Sequence, residues 1–162
     1  ALATAEKYEH MYATVGLHPT DKGKEGFNEE NYKELVIHPK VVAIGECGLD
    51  YFRSDKGEAG RQKNDFKKQI EFALDYNKPL MLHSRPDHGM DAYEDMLLVL
   101  RSYMKEHGEK LRGNIHFFVG DTTIAKRFLE LGFTLSFTGV ITFARDPFWG
   151  RYIDLWNLCL CI

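Results

Sequence analysis

The stretch Val41-Val42-Ala43-Ile44-Gly45-Glu46-Cys47-Gly48-Leu49-Asp50-Tyr51 begins as an apolar run and turns polar at Glu46. Short, continuous apolar runs are typical of strands buried on both faces of a parallel sheet. A carboxylate that follows such a run is costly to bury unless it is paired or bound to a metal ion. The segment therefore predicts a buried strand over Val41–Gly45 with a functional carboxylate directly after it.

Other apolar runs along the chain have the same character, and a loop and a helical segment separate each from the next. They are Tyr12–Leu17, Pro79–Leu82, Asn114–Phe118 and Phe133–Phe137. Alternating strands and helices predict parallel strands joined by right-handed crossovers, as in a doubly wound sheet or a TIM barrel. The sequence lacks the glycine fingerprint of a dinucleotide-binding fold. The predicted fold class is therefore α/β with parallel strands, and the sequence shows about five strands where a closed barrel needs eight.

The segments between the runs show the three-and-four apolar spacing of amphipathic helices. Two apolar stripes of this kind are Phe66, Ile70, Ala73 and Leu74, and Tyr93, Met96, Leu97, Leu100, Tyr103 and Met104. Asn28 can cap a short helix that follows it. Asp121 or Thr122 can cap a helix over Ile124–Leu131. Gly132 can end that helix.

The composition is that of a single globular domain: 44% of the 162 residues are apolar and 28% are charged. The net charge of -3 argues against broad electrostatic binding of nucleic acid, so any attraction for DNA must be local. Three cysteines without regular spacing argue against a disulfide framework. No apolar run approaches the ~20 residues of a membrane span, and Ala1–His10 shows no leader peptide. We therefore expect a cytoplasmic protein without a membrane partner.

Polar side chains recur at the carboxyl ends of the apolar runs, where His18, Glu46, His83 and His116 stand. In a parallel α/β structure these ends lie on one side of the sheet, so residues distant in sequence come together. Imidazole and carboxylate groups suit Zn²⁺, Mn²⁺ and similar ions. The pattern favours a metal site. The remaining histidines lie among polar neighbours in helical or loop stretches and are predicted to be hydrogen-bonded structural residues or surface residues rather than ligands: His10, His38, His88 and His107.

Four segments in order resemble motifs of the TatD family of TIM-barrel, metal-dependent hydrolases, which are typically deoxyribonucleases. They are Val15-Gly16-Leu17-His18-Pro19, Ala43-Ile44-Gly45-Glu46-Cys47-Gly48-Leu49-Asp50-Tyr51, Leu82-His83-Ser84-Arg85 and Ile115-His116-Phe117-Phe118-Val119-Gly120. The Gly-Glu-x-Gly-Leu-Asp-Tyr pattern is the most diagnostic, and the resemblance covers roughly residues 1–146. Four ordered motifs make a chance similarity improbable.

The resemblance implies a role for each matching residue. Glu46 would be the catalytic carboxylate and a metal ligand able to bridge two ions. His83 and His116 would be further metal ligands. His18 and Arg85 would lie near the substrate phosphate, which a guanidinium can bind through two hydrogen bonds. The implied cofactor is a divalent ion such as Zn, Mg or Mn, and the implied substrate is DNA or another phosphodiester.

The sequence departs from the family pattern in several places. The His-x-His pair of the first strand and the Asp of the last strand are absent, and Thr20 stands where the first-loop pattern often has a second His. Asp50 is interpreted as structural, holding the loop after its strand. With these motifs absent, the resemblance implies an incomplete barrel over 1–146, which is a partial TIM barrel of about five of eight parallel strands with flanking helices. The aromatic and apolar segment 147–162 matches no motif and stays an unassigned tail.

These departures predict one bound ion rather than two and little or no activity for this chain by itself. They also predict self-association through open sheet edges. Two other functions stay open from the residues alone. One is amide or ester hydrolysis of the amidohydrolase type, and the other is a non-catalytic fragment or interaction protein.

Overall fold

A computed structural model of the chain describes residues 1–21, 26–87 and 89–139. The predictions for His88 and for the tail 147–162 lie outside the described residues. The described strands are β1 (Ala13–Val15), β2 (Val41–Asp50), β3 (Leu80–Arg85), β4 (Gly113–Ile115) and β5 (Thr134–Leu135). They form one five-stranded sheet in the order β1-β2-β3-β4-β5, and every neighbouring pair is parallel.

The unbroken strand order distinguishes between the two architectures that the sequence allowed. In a doubly wound sheet the strand order reverses at a switch point. Here each strand pairs with the next one along the chain. Right-handed crossovers then place all connecting helices on the same face of the sheet, which is the arrangement of a barrel wall. The predicted partial TIM barrel is confirmed.

One short helix precedes β1, and the other helices lie between consecutive strands. The helices are α1 (Leu2–Ala5), α2 (Lys33–Val36), α3 (Ala59–Asp75), α4 (Ala92–His107) and α5 (Thr122–Glu130), with short 3-10 helices at Glu29–Asn31, Lys56–Glu58 and Gly108–Lys110. The predicted caps are confirmed: the side chain of Asn28 accepts from Glu30 N–H, and that of Asp121 accepts from Ile124 N–H. Among the described residues, no helix is long and apolar enough to cross a membrane.

The core lies between the sheet and the helices, and both predicted apolar stripes contribute to it. Its fully buried members include Ile44, Leu49, Leu82, Phe66, Ile70, Met96, Leu97, Leu100 and Phe128. Burying one side chain of this size stabilises a fold by about 1.5–3 kcal/mol. The helices are therefore fixed on the outer face of the sheet, which leaves the strand ends for other contacts.

The sequence placed Glu46 and His83 just after their strands, and this placement is wrong. Both lie inside strands, because β2 and β3 continue to pair up to Asp50 and Arg85. The prediction that each strand is buried on both faces is also wrong for β3, where buried and half-buried residues alternate. In the described part of the chain the sheet does not close around the second face of β3, so that face stays partly open. His83 and Arg85 lie on it.

Candidate metal centre

The carboxyl ends of the strands surround a cavity of about 490 Å³. Its lining includes every site residue that the sequence predicted: His18, Glu46, His83, Arg85 and His116. Arg53, Ser84, Phe117 and Val119 complete the lining. Residues almost a hundred positions apart are therefore brought together, as expected when the carboxyl ends of parallel strands meet at one edge.

A break in strand register aims Glu46 into this cavity. Gly45 pairs with Met81 and Cys47 with Leu82, so Glu46 is left without a partner on β3. Such bulges are common beside functional sites because they redirect a side chain. The close contact with β3 also explains the glycines of the motif. A Cβ at Gly45 would lie 2.3 Å from Met81 O, and one at Gly48 would lie 2.2 Å from the main-chain oxygen of His83.

Glu46 and His83 form the first contact of the site, with Oε1 of the carboxylate 3.0 Å from Nδ1 of the ring. The hydrogen bond with His83 lowers the pKa of Glu46, and partial burial opposes the shift. The charges of His83, His18 and His116 lower this pKa further. Glu46 is therefore held as a carboxylate, the form that binds a cation.

Asp50 contacts the other side of the same imidazole. Its Oδ2 lies 2.9 Å from Nε2 of His83, and its side chain is fully buried. Its Oδ1 accepts from Arg53 N–H at 2.8 Å, which is the loop-holding role that the sequence suggested. Gln62 fixes the main chain at this point by accepting from Asp50 N–H and donating to the Asp50 carbonyl. The contact with His83 was not foreseen, because the sequence gives no distance between β2 and β3.

His18 lies in the loop after β1, with its ring centroid 4.7 Å from that of His83. Its Nδ1 is 2.7 Å from Oγ1 of Thr20, the residue that departs from the family pattern. Burial lowers the pKa of His18, the charge of His83 lowers it further, and Glu46 opposes the shift. A neutral imidazole has a lone pair available for a metal ion.

Three side chains fit a divalent ion. His18, Glu46 and His83 each offer one ligand atom, and these atoms lie within 4.8 Å of one another. Two imidazoles and a carboxylate form a donor set of catalytic zinc sites, and the carboxylate also suits manganese. The cluster includes His18, which the sequence assigned to the substrate. His116 lies on the cavity wall outside this cluster, with Nδ1 3.5 Å from Oγ of Ser136, so its role as a ligand stays a prediction.

Arg85 lies on the same open face of β3 as His83. Its guanidinium stacks on the ring of Phe52, with Cζ 4.3 Å from the ring centroid. Arg53 is a second guanidinium on the cavity lining, and the sequence reasoning missed it because it follows no apolar run. Two arginines beside an acidic and histidine-rich cluster suit an anionic group such as a phosphate.

The wall of a parallel barrel, with histidines and a carboxylate at the carboxyl ends of its strands, defines the class of TIM-barrel proteins with a candidate metal site at that end. Within that class, the chain belongs to the TatD family, because its residues 1–148 match the family described as TatD related DNase.

Individual relatives agree with this assignment. The metal-dependent hydrolase YabD of Bacillus subtilis (strain 168) is 39% identical over 152 residues, which cover 91% of this chain and 55% of YabD. The 3'-5' ssDNA/RNA exonuclease TatD of Escherichia coli (strain K12) is 33% identical over 137 residues, covering 83% of this chain and 49% of that protein.

A solved structure shows the same fold. The crystal structure of YjjV, a TatD homolog from Escherichia coli K12, matches with a TM-score of 0.72 and 30% identity. The match covers 90% of this chain and 53% of YjjV. The chain thus spans about half the length of the relatives it matches.

Proposed function

We propose that this site takes part in metal-assisted hydrolysis of phosphodiester bonds in DNA. The observation that carries the proposal is the cluster of His18, Glu46 and His83, whose ligand atoms lie within 4.8 Å of one another in a cavity shared with Arg85. A relative named as an exonuclease for single-stranded DNA and RNA supports the same substrate class.

In this proposal, some residues of the chain bind the cation and others bind the substrate. Glu46 would be the anionic ligand of a divalent ion, and His83 and His18 would be its imidazole ligands. When bound, such an ion would supply a water molecule of lowered pKa and would offset negative charge on phosphate oxygens. Arg85 and Arg53 hold the phosphate on the open side of the cavity, because a guanidinium binds two phosphate oxygens at once. The negative net charge restricts the attraction for DNA to this local group.

Glu46→Gln tests the proposal most directly, because it keeps the shape of the side chain and removes the negative charge. Calorimetric titration with Mn²⁺ or Zn²⁺ is expected to show one ion bound to the unmodified chain and an affinity at least ~10-fold lower in the variant. Glu109→Gln, outside the cavity, is the matched control. Hydrolysis of a single-stranded oligonucleotide and of an acyl ester is measured on the same samples.

Each outcome distinguishes among the candidate functions. Metal-dependent cleavage of the oligonucleotide that Glu46→Gln abolishes supports the proposal. Cleavage that survives Glu46→Gln removes Glu46 from the site. Hydrolysis of the ester without cleavage of DNA indicates the amidohydrolase type. A folded chain that neither binds metal nor hydrolyses either substrate contradicts the proposal in favour of a non-catalytic interaction protein.

A further inference from the structure

Asp50 is a buried carboxylate for which the proposed chemistry has no direct use. Its side chain is fully buried, whereas those of His83 and Glu46 are 15% and 33% exposed. A buried charge needs partners for its oxygens. The structure provides two, Nε2 of His83 for Oδ2 and the main-chain N–H of Arg53 for Oδ1.

These contacts assign different tasks to the two nitrogens of His83. Nδ1 faces Glu46 at 3.0 Å on the cavity side, and Nε2 faces Asp50 at 2.9 Å on the buried side. Carboxylate oxygens accept hydrogen bonds, so each of these contacts can hold a ring proton. Glu46 is itself a candidate cation ligand, so a cation bound there would take the place of a proton on Nδ1, whereas the proton on Nε2 would stay with the buried Asp50. Metal-binding histidines commonly donate their other N–H to a carboxylate in this way.

We infer that Asp50 is a positioning residue that holds the proton of His83 on Nε2 and thereby makes Nδ1 the metal-binding atom. The inference rests on the proposed function, because it concerns the same metal site. Neighbouring residues hold Asp50 in place. Gln62 holds its main chain through hydrogen bonds of 2.8 and 3.0 Å and donates to Oγ of Ser54. The carboxylate therefore has little freedom to turn away from His83.

The variant Asp50→Asn tests the positioning role without changing the packing, because the asparagine side chain has nearly the same shape as that of aspartate. Asparagine has one accepting oxygen, but two N–H donors, from Arg53 and His83, need one each. If the amide oxygen keeps the Arg53 contact, the amide NH₂ faces Nε2 of His83. The ring proton must then move to Nδ1, which blocks the ligand atom, as happens when a carboxylate that orients a catalytic histidine becomes an amide.

Two measurements on the full chain test the inference. The first is Zn²⁺ affinity by calorimetry, which is expected to fall about 10- to 100-fold in Asp50→Asn. Asp65→Asn is the matched control, since Asp65 is a buried carboxylate that also accepts from a main-chain N–H, that of Phe27, and does not line the cavity. The second is ¹⁵N NMR of the histidine rings in the unmodified chain, with and without Zn²⁺, with His83→Gln used to assign the His83 signals.

A proton on Nε2 of His83 in both NMR samples, together with an affinity loss confined to Asp50→Asn, supports the inference. Zinc bound through Nε2, or an equal affinity in a folded Asp50→Asn, overturns it. If Asp50→Asn does not fold, the NMR spectra of the unmodified chain decide. If the unmodified chain binds no zinc, the proposed metal site fails. The metal-free spectra still test Asp50, because an Nε2 without a proton overturns its role.

Discussion

Each of the two histidines that cluster with Glu46 has a polar partner of its own. Thr20 contacts His18 and Asp50 contacts His83, at 2.7 and 2.9 Å. Polarity at the ends of apolar runs was enough to single out both histidines in the sequence. Their partners lie beside other polar residues in loops or at the far end of β2, so only the distances between side chains identify them.

The pKa shift of His18 predicts a pH dependence of stability. Burial lowers the pKa of His18 below its ordinary value of 6.5, so the unfolded chain takes up this proton first as the pH falls. The contribution of His18 to the free energy of unfolding is therefore complete above pH 6.5 and is lost as the pH falls below 6.5 towards the folded pKa. Urea unfolding of the metal-free protein at several pH values measures it.

His18→Gln removes this titration and is expected to become more stable relative to the unmodified chain as the pH falls. His107→Gln controls for loss of an imidazole away from the cavity, at the end of α4. An identical pH dependence in His18→Gln and the unmodified chain would contradict the expectation.

At the scale of elements, helices were predicted more closely than strands. Caps and apolar stripes are local properties of the chain, and Asn28 and Asp121 cap the helices as expected. The end of β2 was misplaced because strand length depends on a partner. The polar residue Glu46 suggested that the strand ends there, but Cys47–Asp50 continue to pair with β3.

Gly108 ends α4 with φ 54° and ψ -138°, a region that residues with a side chain rarely adopt. A Cβ at this position would meet no atom within 4 Å, so a substitution acts through the backbone alone. Gly108→Ala is expected to lower the free energy of unfolding by about 1–3 kcal/mol. Chemical denaturation measures the change.

Gly60→Ala provides the opposite control, because Gly60 lies in α3 and a Cβ there also meets no atom within 4 Å. It is expected to raise the free energy of unfolding by up to ~1 kcal/mol. A neutral Gly108→Ala beside a stabilising Gly60→Ala would show that α4 ends without backbone strain.

At the scale of the whole molecule, the described sheet has β1 at one edge and β5 at the other. One face of β3 is only half-buried, and Val42 of β2 is 43% exposed. Open edges and partly exposed apolar faces favour pairing with another chain. Self-association of this chain, first suggested by its strand count, therefore stays a prediction that can be measured.

Sedimentation velocity over a range of concentrations is expected to show reversible association of the chain. Thr14→Lys places a charge on the edge strand β1 and should weaken the association, since lysine on an edge opposes strand pairing. Thr4→Lys makes the same change at an exposed position in α1 and should leave it unchanged. A single monomeric species that melts cooperatively at high temperature would contradict this prediction.

The sequence by itself determined the succession of strands and helices, the parallel α/β class, and which residues stand near the carboxyl ends of strands. These follow from periodicity, capping and polarity, which act over a few neighbouring residues. The tertiary structure alone decided that Glu46 occupies a bulge, that His83 lies between Glu46 and Asp50, and that His18 groups with them while His116 lies on the cavity wall. Those outcomes depend on the bulge and on the register between strands that are distant in sequence, and a shift of one residue would turn every side chain of a strand to the other face of the sheet.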